Sequence, residues 1–228
     1  MSAFAVAVDG PAGSGKSSVC RGTATRLGMR YLDTGAMYRA MTWAMLDAGV
    51  DVDDAAAVTS AASHVVLASG TDPSCPTISV NGVDVSEPIR SATVTAAVSA
   101  VSAVPEVREL LVSLQRAEVA AAGDAGIVVE GRDIGTVVLP DAPVKIFLTA
   151  DPAVRALRRA KEDSERTQAD VSVEATQQAL VARDAKDSSR ATSPLTQAAD
   201  AIVVDTTELN LEQVITEVIN QVQARRSP

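Results

Sequence analysis

Short apolar runs recur along this chain, separated by longer stretches of helical spacing. Phe4–Val8, Ile127–Glu130, Val144–Thr149 and Ala201–Val204 read as strands buried on both faces, and Arg30–Leu32 as a shorter one. The spacing predicts helices over about Lys16–Leu27, stopped by Gly28, and from Thr34, as its cap, through Met37, Met41 and Met45 to Asp47. Further helices are expected over Asp53–Ala62, Ser91–Val104 and Pro105–Ala122. Others should start at Asp151-Pro152 and at Ser172, the latter running to about Ala185. A last one opens at Asn210, with Gln213 three residues on as a capping box. Five parallel-type strands with flanking helices predict an α/β, doubly wound sheet whose ligands sit at the strand C-terminal ends.

The middle of the chain breaks this rhythm. Thr77–Val80 and Val83–Val85 flank Asn81-Gly82, a strong short hairpin signal, and Val65–Ala68 adds a neighbouring strand. An antiparallel hairpin inside a βα chain suggests a small insertion. The expected division is therefore a core over 1–62, an inserted subdomain over 63–104, and the rest of the core over 105–228.

Candidate chemistry begins where the first strand ends. Gly10, Pro11, Ala12, Gly13, Ser14, Gly15, Lys16 and Ser17, followed by Ser18, match the phosphate-loop pattern G-x-x-x-x-G-K-S/T between a strand and a helix. Backbone N–H groups and the helix dipole hold phosphate oxygens there, Lys16 adds a point charge, and the Ser17 hydroxyl is a candidate magnesium ligand. The loop predicts a nucleoside triphosphate without specifying the reaction.

Composition narrows the partners. Twenty Lys and Arg stand against 29 Asp and Glu, a formal net charge of −9, which argues against nucleic-acid polymers and anionic membranes. Aromatic residues make up 2%, so Ala, Val, Leu and Ile must fill the core. Cys20 and Cys75 have no thiol near them in sequence, and His64 is the only histidine, so no disulfide framework, histidine-ligated metal or catalytic triad is expected. The chain shows no signal peptide and no apolar run near the ~20 residues of a membrane span, so a cytoplasmic protein is expected.

Three polar strings end strands or helices: Asp33–Arg39, Glu130–Asp133, and Arg183–Arg190 as Arg-Asp-x-x-Asp-x-x-Arg. Separated Arg residues at one sheet edge suggest a second anionic substrate held by bidentate guanidinium contacts, while surface ion pairs are the plainer alternative.

With these strings on the page, the chain closely resembles the bacterial cytidylate kinase family of nucleoside monophosphate kinases. The resemblance rests on D-G-P-x-G-x-G-K at Asp9–Lys16, L-D-T-G-A-x-Y-R at Leu32–Arg39, D-V-S-x-x-I-R at Asp84–Arg90 and P-x-V-R at Pro105–Arg108. It continues through G-R-D-x-G-T-V-V at Gly131–Val138, P-D-A-P-V-K-I-F-L at Pro140–Leu148 and R-D-x-x-D-x-x-R at Arg183–Arg190. It implies a phosphate-loop kinase fold with a substrate-binding insertion and a lid over about 155–172. It also implies ATP with Mg2+ as phosphoryl donor, CMP and dCMP as acceptors, and a monomer. Arg39, Arg132 and Arg190 would clamp the monophosphate, with Thr34, where many relatives have Ser, and Tyr38 beside it. Ser99, Arg108 and Asp133 would read the cytosine edge, and Arg183 with Asp187 would hold the ribose hydroxyls. Lys16, Arg132, Arg158 and Arg159 would be the catalytic cations, the last two at the start of the lid with Arg155; the 163–170 stretch departs from the family pattern. A small-metabolite kinase of shikimate or dephospho-CoA type remains an alternative, and so does a nucleotide-gated switch, although no N-K-x-D guanine-reading string is present.

Overall fold

The computed structural model describes residues 3–190 and 192–226, so the outermost ends of the expected core lie outside the described residues. Five strands, β1 (Ala5–Asp9), β2 (Arg30–Asp33), β6 (Ile127–Glu130), β7 (Val144–Thr149) and β8 (Ile202–Asp205), form one sheet in the order β2-β6-β1-β7-β8. The other three, β3 (Leu67–Ser69), β4 (Ile78–Val80) and β5 (Val83–Asp84), form a second sheet in that order. Eight α-helices accompany them among the described residues: α1 (Lys16–Leu27), α2 (Thr34–Asp47), α3 (Ala55–Ala62), α4 (Ala92–Val101), α5 (Pro105–Ala121), α6 (Pro152–Thr167), α7 (Val173–Ser189) and α8 (Leu211–Arg226). Two compact units divide the chain, Met1–Ala5 with Ala24–Glu130 and Val6–Thr23 with Gly131–Pro228. We call them the insertion unit and the loop unit; the first holds the expected insertion, 63–104, together with stretches of the expected core on either side of it.

In the loop unit, β1 pairs with β7 and β7 with β8, both parallel. Every residue of β1 is buried, as a central parallel strand requires, and this explains its unbroken apolar run up to Asp9. Lys145 breaks the run on β7. It is buried, and its ammonium is satisfied by Pro140 O at 2.5 Å and the Asp200 carboxylate at 2.9 Å. Helix α8 buries Val214, Ile215, Val218 and Val222, one stripe at helical spacing. Ile215 packs so tightly on α1 that a Cβ at Gly22 would lie 2.4 Å from its Cδ1. Asn210 and Gln213 form the expected reciprocal cap, with N–H to side-chain oxygen distances of 2.9 and 3.0 Å.

In the insertion unit, β2 and β6 pair in parallel, and α2 buries Met37, Met41 and Met45 on one face. The hairpin forms where Asn-Gly predicts it. Asn81 (φ 50) and Gly82 (φ 82) both take the left-handed conformation that a tight two-residue turn needs. Thr34 is not the cap of α2. Asp33 is, in extended conformation, accepting from the Ala36 N–H at 2.9 Å, while Thr34 begins the helix and donates to Glu130 O at 2.7 Å. The two cysteines differ in setting, Cys20 being buried on α1 and Cys75 exposed.

Candidate active site

The phosphate loop spans the end of β1 to the start of α1, and its backbone explains its glycines. Gly10 (φ 148), Gly13 (φ 75) and Gly15 (φ 85) occupy conformations that side chains disfavour. A Cβ at Gly10 would come within 2.1 Å of Leu148 O on β7, and one at Gly13 within 2.9 Å of Arg155 O on α6. Lys16 is buried and folded back over the loop, donating to Gly10 O at 2.8 Å and Pro11 O at 2.7 Å. Ser17 and Ser18 are exposed at the first turn of α1.

Arg132 comes to the same carbonyl. Its Nη1 donates to Gly10 O at 2.8 Å and its Nε to the buried Asp187 carboxylate at 3.0 Å. Asp187 also faces Arg183, at 3.9 Å, four residues earlier on α7, which extends through Ser189 and so places both on one helical face. Arg190 caps that helix, with Nη2 donating to Ser193 O at 2.9 Å.

The loop carrying Arg132 and Asp133 is held by a residue whose importance the motif alone did not reveal. Asp9, the last residue of β1, is buried and accepts from the Ile134 and Gly135 N–H groups, both at 2.8 Å. Those residues open a π-helical stretch, Ile134–Val138, in which Leu139 N–H reaches Ile134 O at 2.7 Å. Burial pushes the Asp9 carboxyl up from 3.8 to about 6, against the lowering effect of the two N–H donors; the Asp133 charge adds to the rise and Lys16 opposes it. The signal in the sequence was a carboxylate placed at the C-terminal end of an otherwise apolar strand.

Two of the three arginines at the start of the lid are engaged elsewhere. Arg158 donates to Thr206 Oγ1 at 2.8 Å and Thr206 O at 2.7 Å, and Arg159 pairs with Asp163 at 2.8 Å and Glu162 at 3.4 Å. Arg158 and Arg159 are therefore not brought to the phosphate loop, and the expected lid stretch, 155–172, is helical through α6 as far as Thr167, followed by a turn at Gln168 (φ 54) that leads to Ser172, the cap of α7. An open cavity of about 670 Å³ lies at the ends of β7 and β8, lined by Thr149, Asp151, Asp205, Thr207 and Glu208.

The remaining sequence-derived residues lie in the insertion unit. Arg108 is buried on α5, with its guanidinium 5.2 Å from the centre of the Tyr38 ring and Nη1 donating to Ser102 O at 3.3 Å. Ser99, on α4, is half-buried, and Arg39, on α2, donates to Thr95 Oγ1 at 3.0 Å. Tyr31 OH meets the Glu130 carboxylate in a buried hydrogen bond at the end of β6, a pairing without a recognisable sequence signal.

A parallel sheet, a glycine loop opening a helix and a lysine that folds over it define a phosphate-loop α/β protein. The profile of the cytidylate kinase family matches residues 6–224. A cytidylate kinase of Streptomyces griseus subsp. griseus is 57% identical over 225 residues, covering 99% of this chain and 95% of that protein. Those of Nocardia farcinica (55% over 212 residues, covering 93% and 90%) and Mycobacterium leprae (52% over 233 residues, covering 99% and 98%) are similarly close. The chain belongs to the cytidylate kinase family.

Proposed function

We propose that the protein transfers the γ-phosphoryl group of ATP to CMP and dCMP by direct in-line attack. Within the family frame, the observation that carries the reading is the meeting of Lys16 and Arg132 on a single carbonyl oxygen, that of Gly10, each at 2.8 Å. One cation belongs to the donor loop and the other to the acceptor string, and a migrating phosphoryl group needs both to neutralise its spreading charge. Incoming phosphate oxygens replace the carbonyls that Lys16 and Arg132 now hold.

No general base is required, because the attacking oxygen of the acceptor phosphate is already anionic. Loop residues 10–18 hold the donor phosphates. Arg39, Arg132 and Arg190 hold the acceptor phosphate, with Thr34 and Tyr38 beside it; Asp187 and Arg183 hold the ribose, and Ser99, Arg108 and Asp133 read the cytosine edge. Arg158 and Arg159 act on the transferring group only after leaving their present partners, so they belong to a closed state of the lid, 155–172.

The residues suit magnesium. The exposed Ser17 hydroxyl is a hard oxygen donor at the loop, and no cluster of three His, Cys, Asp or Glu among the described residues could hold a metal alone. A divalent ion would take its other oxygens from phosphates and water, and would supply charge neutralisation between the donor phosphates. No helix among the described residues is long and apolar enough to cross a membrane. The protein acts as a monomer in the cytoplasm.

The test is product analysis after incubation with ATP, Mg2+ and a panel of CMP, dCMP, UMP, shikimate and dephospho-CoA. CDP and dCDP should form together with ADP, and UMP should react far more slowly. ADP formation at the same rate with and without CMP, or phosphorylation of shikimate or dephospho-CoA in its place, would overturn the reading.

A further inference from the structure

Asp184 lies one helical turn before Asp187 on α7, and its carboxylate reaches the phosphate loop itself. The Ala12 N–H donates to Asp184 Oδ1 at 3.2 Å. Arg155, on the first turn of α6, donates from Nη1 to Asp184 Oδ2 at 2.5 Å and to Ala12 O at 2.9 Å. The three residues therefore close a ring in which both backbone polar groups of Ala12 are taken up, one by each helix of the hairpin. The ion pair is well shielded, the side chains of Arg155 and Asp184 being 8% and 16% exposed, so water screens it weakly.

Apolar packing backs the ring. Ala12 is buried in one cluster with Ala156 of α6 and Leu180 of α7, and Val173 packs against them. Next to it, the missing Cβ of Gly13 lets the loop lie against the Arg155 carbonyl. The course of the loop at Ala12 and Gly13 is thus set by the α6–α7 hairpin as much as by β1 and α1.

Helix α7 carries more than this anchor. Asp187 and Arg183, assigned above to the acceptor ribose, stand three residues after and one before Asp184 on the same rigid helix. A shift of α7 on acceptor binding moves Asp184 with it, and Asp184 holds the loop. We propose that Asp184 is a positioning residue that couples the acceptor site to the phosphate loop, so that CMP binding improves the fit of the loop to the donor phosphates. This inference rests on the CMP kinase reading. Coupling of this kind is reciprocal, so the donor would favour the acceptor by the same factor.

The experiment is calorimetric titration of a non-hydrolysable ATP analogue with Mg2+, without and with saturating CMP, in native protein and in Asp184→Asn. The native protein should bind the analogue more tightly with CMP present, by roughly fivefold or more, the range typical of coupled sites. In Asp184→Asn the factor should fall towards one while CMP alone binds as in native protein; Asp184→Glu should restore part of it. Arg155→Met, which removes the Nη1 that donates to both Asp184 and Ala12, attacks the ring from the other helix and should lose the coupling too, which covers the case of an unfolded Asp184→Asn. A native factor of one overturns the inference, and so does a native-size factor in the variants. A parallel loss of both affinities and of thermal stability would make Asp184 merely structural. If native protein binds no CMP at all, the kinase reading has failed instead.

Discussion

At the scale of single residues, three side chains carry separable predictions. Lys16→Met should fold normally yet lower turnover by ~100-fold or more, because in the proposed reaction its ammonium would leave the Gly10 and Pro11 carbonyls for the migrating group and act mainly in the transition state. CMP affinity should change little, and steady-state kinetics with ATP and CMP checks both parts. Asp133, next to Arg132 in sequence, is buried and is assigned under the proposed function to the cytosine amino group. Asp133→Ala should therefore reduce kcat/KM for CMP far more than for UMP, narrowing a preference of ~100-fold or more that a buried hydrogen-bond mismatch can create. If both constants fall together, the residue supports the loop and does not read the base. Asp9 gives a pH dependence. Its folded pKa of about 6 lies above the ordinary 3.8, so between these values the folded state binds more proton than the unfolded chain. Stability from this group is then largest at low pH and falls as pH rises from about 4 to 6, by about 3 kcal/mol in total. Asp9→Asn removes the titration, so denaturant unfolding should show native protein losing stability relative to the variant across that window. A difference that stays constant with pH would contradict it.

At the scale of elements, the phosphate loop allows a comparison between two of its own glycines. A Cβ at Gly10 would meet the Leu148 carbonyl at 2.1 Å, whereas one at Gly15 would meet nothing within 4 Å, although both have positive φ. Gly15→Ala should cost about 1 kcal/mol of conformational strain, and Gly10→Ala at least about twice that because backbone must also move. Denaturant midpoints decide the order. On α7, Asp187 was expected from the sequence to hold ribose hydroxyls, so Asp187→Ala should weaken a nucleotide that carries them. Because Asp187 also holds Arg132 at 3.0 Å, the variant should lower turnover as well as weaken CMP by ~1–3 kcal/mol. Dideoxy-CMP, lacking the hydroxyls, should lose affinity but leave the Arg132 effect untouched. The elements themselves were mostly legible. Buried parallel strands announce themselves as apolar runs, and Asn81-Gly82 fixed the hairpin because few residue pairs tolerate two positive φ values. Asp33 and Thr34 are adjacent and both able to cap, so spacing alone could not choose between them. The π-helical stretch after Asp133 was invisible because its cause is remote: a carboxylate at Asp9, 125 residues away in sequence, takes the Ile134 N–H.

At the scale of the whole molecule, charge and site chemistry point in opposite directions and only the local balance matters for function. The net charge of −9 should keep the protein from binding DNA or RNA, so no mobility shift with duplex DNA is expected at physiological salt, despite a site rich in arginine. The candidate site was legible where chemistry is written in contiguous strings, namely the loop, Gly131-Arg132-Asp133 and Arg183–Arg190. It was not legible where residues from separate strings meet. Lys16 and Arg132 converging on Gly10, and Arg155 with Asp184 enclosing Ala12, are products of tertiary packing, and no spacing rule anticipates them.

The two thiols offer a different view of the same loop. Cys75 is exposed, whereas Cys20 is buried on the helix that the phosphate loop opens, four residues beyond Lys16. A chromogenic disulfide reagent should therefore titrate one equivalent at once and the second only when α1 breathes away from its surroundings. The slow phase becomes a clock for opening of that helix, readable without any mutation, and a nucleotide seated in the loop should slow it.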